Sequence, residues 1–143
     1  VYAEGLERNS DLVDGLVLDS PPLDWPGLLR HQAKLAHLSS FIAYLGVAIL
    51  QVGWIRGAIS GKRGTDVTGL TPDRLAALIR VPTLIHASAG DTFVPWEGSL
   101  RVARLKPSLV QIHPSRGEHV KLWNADPVGW KNETARFLRA LHA

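Results

Sequence analysis

Residues 81–95, VPTLIHASAGDTFVP, are the segment of this chain that is most informative about its architecture. The stretch opens with a proline, continues as a short apolar run and stops at the pair Gly90-Asp91. A short apolar run between turn signals is typical of a buried parallel strand, although a buried helix can carry the same pattern. An acidic residue just past such a strand lies at the carboxyl edge of the sheet, where open α/β folds hold their functional sites. We therefore predict a strand over residues 83–86, with Asp91 beyond its end.

A second segment of this kind lies downstream. The run LVQIH at 109–113 predicts a strand over 110–113, and GEHV follows it at 117–120. The carboxyl ends of parallel strands share one edge of a sheet, so we expect Asp91 and His119 to converge there. In nucleophilic catalysis, a carboxylate can orient an imidazole so that the imidazole acts as the general base.

A third strand is predicted near the start of the chain, over residues 13–18. It lies in the motif GLVLDSP at 15–21, and Asp19 follows its end. Asp19 is therefore the alternative acidic partner for His119. From the residues alone, both acids stay open.

Four motifs together resemble the α/β-hydrolase family: VPTLIH at 81–86, GDTFVP at 90–95, GEHV at 117–120 and GLVLDSP at 15–21. The resemblance is to the C-terminal half of a serine esterase, lipase or peptidase-like hydrolase, whose triad follows the chain order Ser, Asp, His. It implies Asp91 as the triad acid, His119 as the base, no cofactor, and a small ester or acyl substrate. The implied fold class is α/β, with one partial domain over residues 1–143 and three parallel strands flanked by helices.

The nucleophile of such an enzyme is absent, because no Gly-x-Ser-x-Gly turn occurs in the chain. The nearest pattern surrounds Ser88, but His86 is too large for that tight turn. Ser20 precedes Pro21, which has no N–H to donate to an oxyanion. We therefore expect half of a serine hydrolase, inactive alone and completed by a missing N-terminal half. The alternative is a noncatalytic relic or a protein-binding module that docks through its open sheet edge.

Residues 26–60 are predicted to form a helical insertion, and 41–59 are the most apolar part of the chain. Two interpretations stay open: a helix buried between the sheet and its neighbours, or a cap over an acyl pocket, as in family members with insertions at this point. A membrane helix needs about 20 apolar residues. Gln51 and Arg56 interrupt this run, which makes membrane association a third and weaker hypothesis.

Composition is that of an ordinary globular domain, with 45% hydrophobic and 20% charged residues. The net charge is +3, but the basic residues are scattered, so no nucleic-acid partner is expected. The absence of cysteine excludes disulfides and thiolate–metal sites, and the histidines lack metal-site spacing, so no metal is expected. No signal peptide is visible, which favours a cytoplasmic location. The lack of an initial methionine fits a truncated product.

Overall fold

Three short parallel strands form one sheet in the computed structural model, which describes residues 12–39, 45 and 69–142. The strands are β1 (Leu16–Asp19), β2 (Thr83–Ala87) and β3 (Val110–Pro114), in the spatial order β1-β2-β3. Leu16 lies opposite Thr83, and Thr83 lies opposite Val110. The three predicted strands are therefore confirmed, and β2 is the central one.

β1 differs from the prediction at its start, since it begins at residue 16 rather than 13. The reason lies in its partner. β2 begins at Thr83, after Pro82, whose carbonyl accepts the first bond from the Leu16 N–H at 2.9 Å. Residues 13–15 consequently have no β2 residue to pair with.

Five helices flank the sheet in the described part of the chain: α1 (Trp25–Leu35), α2 (Pro72–Leu78), α3 (Glu97–Leu105), α4 (Leu122–Ala125) and α5 (Pro127–Ala140). Side chains cap three of them. Asp24 accepts from the Gly27 N–H at 2.9 Å, Asp126 from the Gly129 N–H at 2.8 Å, and Thr71 from the Arg74 N–H at 3.4 Å. A proline in the first turn of each of these three helices has the φ that a helix needs and no N–H to leave unsatisfied.

The side chains of β2 alternate between the two faces of the sheet, and helices pack against both faces. Thr83, Ile85 and Ala87 share one face of the strand and His86 lies on the other, because successive side chains point to opposite sides. The core on the Ile85 side includes Leu75 of α2 and Val102 of α3, both buried. On the opposite side, His86 contacts α5. The chain is thus a three-layer α/β structure.

Residues 40–44 and 46–68 lie outside the described residues, and with them most of the predicted insertion at 26–60 and the apolar run 41–59. The insertion begins in α1, which is described. No helix within the described ranges is long and apolar enough to cross a membrane.

Candidate active site

The acidic residue is held by its own turn, immediately after β2. One carboxylate oxygen of Asp91, Oδ1, accepts hydrogen bonds from the backbone N–H groups of Phe93 at 2.9 Å and Val94 at 2.8 Å. Ser88 closes the start of the turn, where its Oγ accepts from the Gly90 N–H at 3.0 Å. The Asp91 side chain is only 2% exposed. Its position is therefore fixed by the backbone, and Oδ2 is left for another partner.

Helix α1 secures the same turn from outside. His31 Nε2 donates to the Thr92 carbonyl at 2.9 Å, and Gln32 Nε2 donates to the Phe93 carbonyl at 2.7 Å. These two bonds connect α1, where the predicted insertion begins, to the acid turn. Neither bond was predictable from local sequence patterns, because each joins residues 61 positions apart.

The imidazole is carried by the loop after β3. The backbone of Gly117 has φ = 126°, in a region that favours glycine, and a Cβ there would lie 2.9 Å from the Ala125 Cβ. Val120 has φ = 53°, which is an outlier for a β-branched residue. His119 lies between these two unusual backbone positions.

The acid and the imidazole meet at the carboxyl edge of the sheet. His119 Nδ1 lies 3.0 Å from Asp91 Oδ2 and donates to it, because a carboxylate oxygen can only accept. This leaves Nε2 of the neutral ring with a lone pair, and no other hydrogen bond to the ring is formed within the described ranges. The His119 side chain is 28% exposed, and the Phe93 ring stands 5.0 Å from it. The structure thus brings Asp91 and His119 together; their catalytic roles stay a prediction.

Asp19, the alternative acid, is engaged elsewhere. Its Oδ2 accepts from the indole N–H of Trp130 at 3.1 Å, and its Oδ1 accepts from the hydroxyl of Ser20, also at 3.1 Å. Neither oxygen is hydrogen-bonded to His119. The geometry therefore favours Asp91 as the partner of the imidazole.

A cavity of about 340 Å³ opens beside His119. Its lining is mainly apolar and comes from β1, the loop after β1 and the loop after β3: Val17, Leu18, Asp19, Ser20, Pro21, Pro22, His119 and Val120. Among the described residues β1 pairs with β2 alone, so the cavity adjoins a strand edge that has no described partner. Neither disfavoured serine is hydrogen-bonded to His119: Ser20 Oγ contacts Asp19 and the Val120 N–H, and Ser88 Oγ contacts the Gly90 N–H.

On the central strand β2, His86 is fully buried. Its ring stacks on Trp130 with centroids 4.8 Å apart, Nε2 lies 3.0 Å from the Thr134 hydroxyl, and Nδ1 has no hydrogen-bond partner. Burial lowers the pKa of His86, and the neighbouring His113 acts in the same direction, while Asp19 and Glu133 oppose them. Folding therefore favours the neutral form of His86 over the protonated one.

This burial predicts a loss of stability in mild acid. The folded-state pKa of His86 lies below the unfolded value of about 6.5, so the unfolded chain takes up the proton first as the pH falls. The contribution is complete above about pH 6.5 and is lost below it, at up to about 1.4 kcal/mol per pH unit. Urea unfolding between about pH 7 and 5 should show a shallower pH dependence for His86→Gln than for the unmodified chain. His142→Gln, at an exposed histidine, is the control, and identical slopes in all three proteins would contradict the assignment.

No cluster of three or more histidine or acidic side chains that could hold a metal occurs in the part of the chain that the structure describes.

No family model matches the sequence, and no curated protein matches it. The architecture, however, matches solved structures along almost its whole length.

A Pyrococcus furiosus esterase superposes with a TM-score of 0.64 at 18% identity, covering 99% of this chain and 49% of that protein. A Paleococcus ferrophilus monoacylglycerol lipase superposes with a TM-score of 0.55 at 16% identity, covering 99% of this chain and 63% of the lipase. Both have the α/β-hydrolase fold. The chain described here therefore has the α/β-hydrolase fold, and it spans about half the length of the esterase it resembles.

Proposed function

We propose that this chain supplies the acid and the base of a serine hydrolase that cleaves small esters or related acyl compounds. Asp91 is the acid and His119 is the base, and the serine comes from a segment outside these 143 residues. The observation that carries the proposal is the 3.0 Å contact between His119 Nδ1 and Asp91 Oδ2, beside a cavity at the edge of β1 that has no partner strand among the described residues.

The chemistry follows from the tautomer that Asp91 imposes. With its proton on Nδ1, the ring can accept a proton at Nε2 from a serine hydroxyl as that oxygen attacks the substrate carbonyl. The buried carboxylate stabilises the imidazolium that forms, and His119 then protonates the leaving alcohol. Water, activated by the same nitrogen, releases the acyl group and restores the serine. In this proposal the oxyanion donors also come from outside the chain.

The apolar character of the cavity supports an acyl substrate. Five of its eight lining residues are Val, Leu or Pro, and Phe93, half exposed, covers one side of the imidazole. Its volume of about 340 Å³ is at the small end of the usual range for ligand pockets, which fits a pocket completed by further residues. Among the described residues that line it there is no lysine or arginine that would select a phosphate or carboxylate.

The experiment that tests the proposal is labelling with a fluorophosphonate, which reacts with activated serines. We expect no labelling of the 143-residue chain and strong labelling of the chain joined to the segment encoded upstream in the same reading frame. That upstream segment should contain a Gly-x-Ser-x-Gly turn, and replacement of its serine by alanine is the matched control. Labelling of Ser20 or Ser88 in the chain alone would contradict the proposal.

A protein-binding module is the second candidate, because within the described ranges one edge of β1 has no partner strand. Such an edge exposes N–H and C=O groups that another chain can pair with. A joined protein that no fluorophosphonate labels would favour this function over hydrolysis.

A further inference from the structure

Two residues that flank the cavity have a left-handed backbone although neither is glycine. Ser20, at the end of β1, has φ = 49°, and Val120, next to His119, has φ = 53°. Such conformations cost free energy and persist only where the surrounding structure holds them, commonly at functional sites. Here one hydrogen bond joins the two, since the Val120 N–H donates to Ser20 Oγ at 3.3 Å.

Ser20 is itself firmly anchored. Its backbone N–H donates to the His86 carbonyl at 3.0 Å, which fixes it to the central strand. Its hydroxyl donates to Asp19 Oδ1, and Asp19 Oδ2 accepts from the Trp130 indole on α5. Ser20 is 5% exposed whereas Val120 is 63% exposed. Ser20 is therefore fixed by the sheet and by α5, and through its hydroxyl it restrains the more exposed loop that carries Val120.

The nitrogen that Ser20 holds belongs to the peptide bond between His119 and Val120. Because that bond is planar, fixing its N–H direction fixes the backbone of His119 on its C-terminal side. The imidazole is then constrained at two points, through its backbone by Ser20 and through Nδ1 by Asp91.

We propose that Ser20 is a positioning residue for His119: its hydroxyl, braced by Asp19 and Trp130, holds the His119–Val120 peptide so that the imidazole stays on Asp91. The inference rests on the proposed function for the role of His119 as base. It gives the hydroxyl of Ser20 a task other than that of nucleophile. It also explains why Asp19 is engaged with a serine and an indole and not with the imidazole.

The tautomer ratio of the His119 ring reports on this role directly, and it can be measured in a protein that has no catalytic activity. We would record the imidazole ¹⁵N spectra of the 143-residue chain near 10 °C, where proteins are close to their maximum stability. A pH of about 8.5 keeps free imidazoles neutral. A His119→Gln variant identifies the His119 signals among the six histidines. In the unmodified chain the proton should reside on Nδ1 in about nine molecules of ten, because the bond to Asp91 selects that tautomer.

Ser20→Ala removes the hydroxyl and should lower the Nδ1–H share to about half, since the ring is then free to leave Asp91. Ser20→Gly should shift the tautomer equally, although glycine accommodates the left-handed backbone, and it decides the question if Ser20→Ala does not fold. Trp130→Phe keeps an aromatic ring for His86 and removes the indole N–H, so it should shift the ratio in the same direction by less. Ser99→Ala, at a buried serine of α3, is the matched control and should leave the ratio unchanged.

An unchanged tautomer in Ser20→Gly, or an equal change in Ser99→Ala, would overturn the inference. The outcome is separable from that of the proposed function. A joined protein that fluorophosphonate labels, with a tautomer indifferent to Ser20, rejects the inference and keeps the hydrolase. A tautomer that depends on Ser20, in a protein that fluorophosphonate never labels, keeps the inference about Ser20 and rejects the hydrolase.

Discussion

Replacing His119 by alanine in the protein joined to its serine-bearing segment should lower kcat/KM for a short p-nitrophenyl ester by about 10⁴-fold or more. The reason is that, in the proposed mechanism, one nitrogen performs both proton transfers. Nε2 takes the proton of the serine and returns it to the leaving group, and among the described residues only the His119 ring is hydrogen-bonded to Asp91 at this edge. Folding should survive, because the side chain is 28% exposed and lies in a loop.

Two comparisons separate chemistry from structure in this experiment. His142→Ala changes an exposed histidine just after α5 and should leave the rate unchanged. A His119→Gly variant should recover part of its activity when imidazole is added, because the cavity beside the loop can admit a small ring. Unchanged turnover in His119→Ala would remove His119 from the mechanism.

The sheet could be predicted from the sequence because its strands are short apolar runs that end at turn residues. β2 and β3 begin where the sequence predicts and extend one residue further, to Ala87 and Pro114. The start of β1 was not readable, since it depends on where the carbonyl of Pro82 lies, and that is a property of another strand. A local pattern predicts that a strand exists more securely than where its pairing begins.

The same division applies to the candidate site. The order of strands and the turn residues predicted that Asp91 and His119 would converge, because parallel strands end at one edge. The bond from Val120 to Ser20 spans 100 positions and leaves no periodic or compositional trace. A signal was nevertheless present in the sequence: Asp19 and Ser20 are polar residues at the end of an apolar strand. Polar residues at this edge can serve as supports as well as reactants.

Replacing Asp91 by asparagine should lower kcat of the joined protein by about 10⁴-fold while leaving the fold intact. The amide oxygen of asparagine can continue to accept from the N–H groups of Phe93 and Val94, so the turn keeps its two backbone bonds. The amide nitrogen then faces His119 Nδ1 in place of the carboxylate oxygen. Two donors cannot face each other, so the ring must move its proton to Nε2.

That change of tautomer is what abolishes catalysis, since a protonated Nε2 cannot accept the hydroxyl proton of a serine. Asp91→Ala would be a poorer test, because it leaves two backbone N–H groups without an acceptor and costs about 1–3 kcal/mol of stability for each buried one. Asp73→Asn is the matched control: this carboxylate is exposed and bonded to Arg101 at 3.0 Å, and its loss should not affect turnover. Stopped-flow measurement of acylation, with thermal unfolding of both variants, separates the two effects. An Asp91→Asn protein within tenfold of the normal rate would show that the imidazole does not depend on this carboxylate, and Asp19, the alternative acid, would then be the next residue to replace.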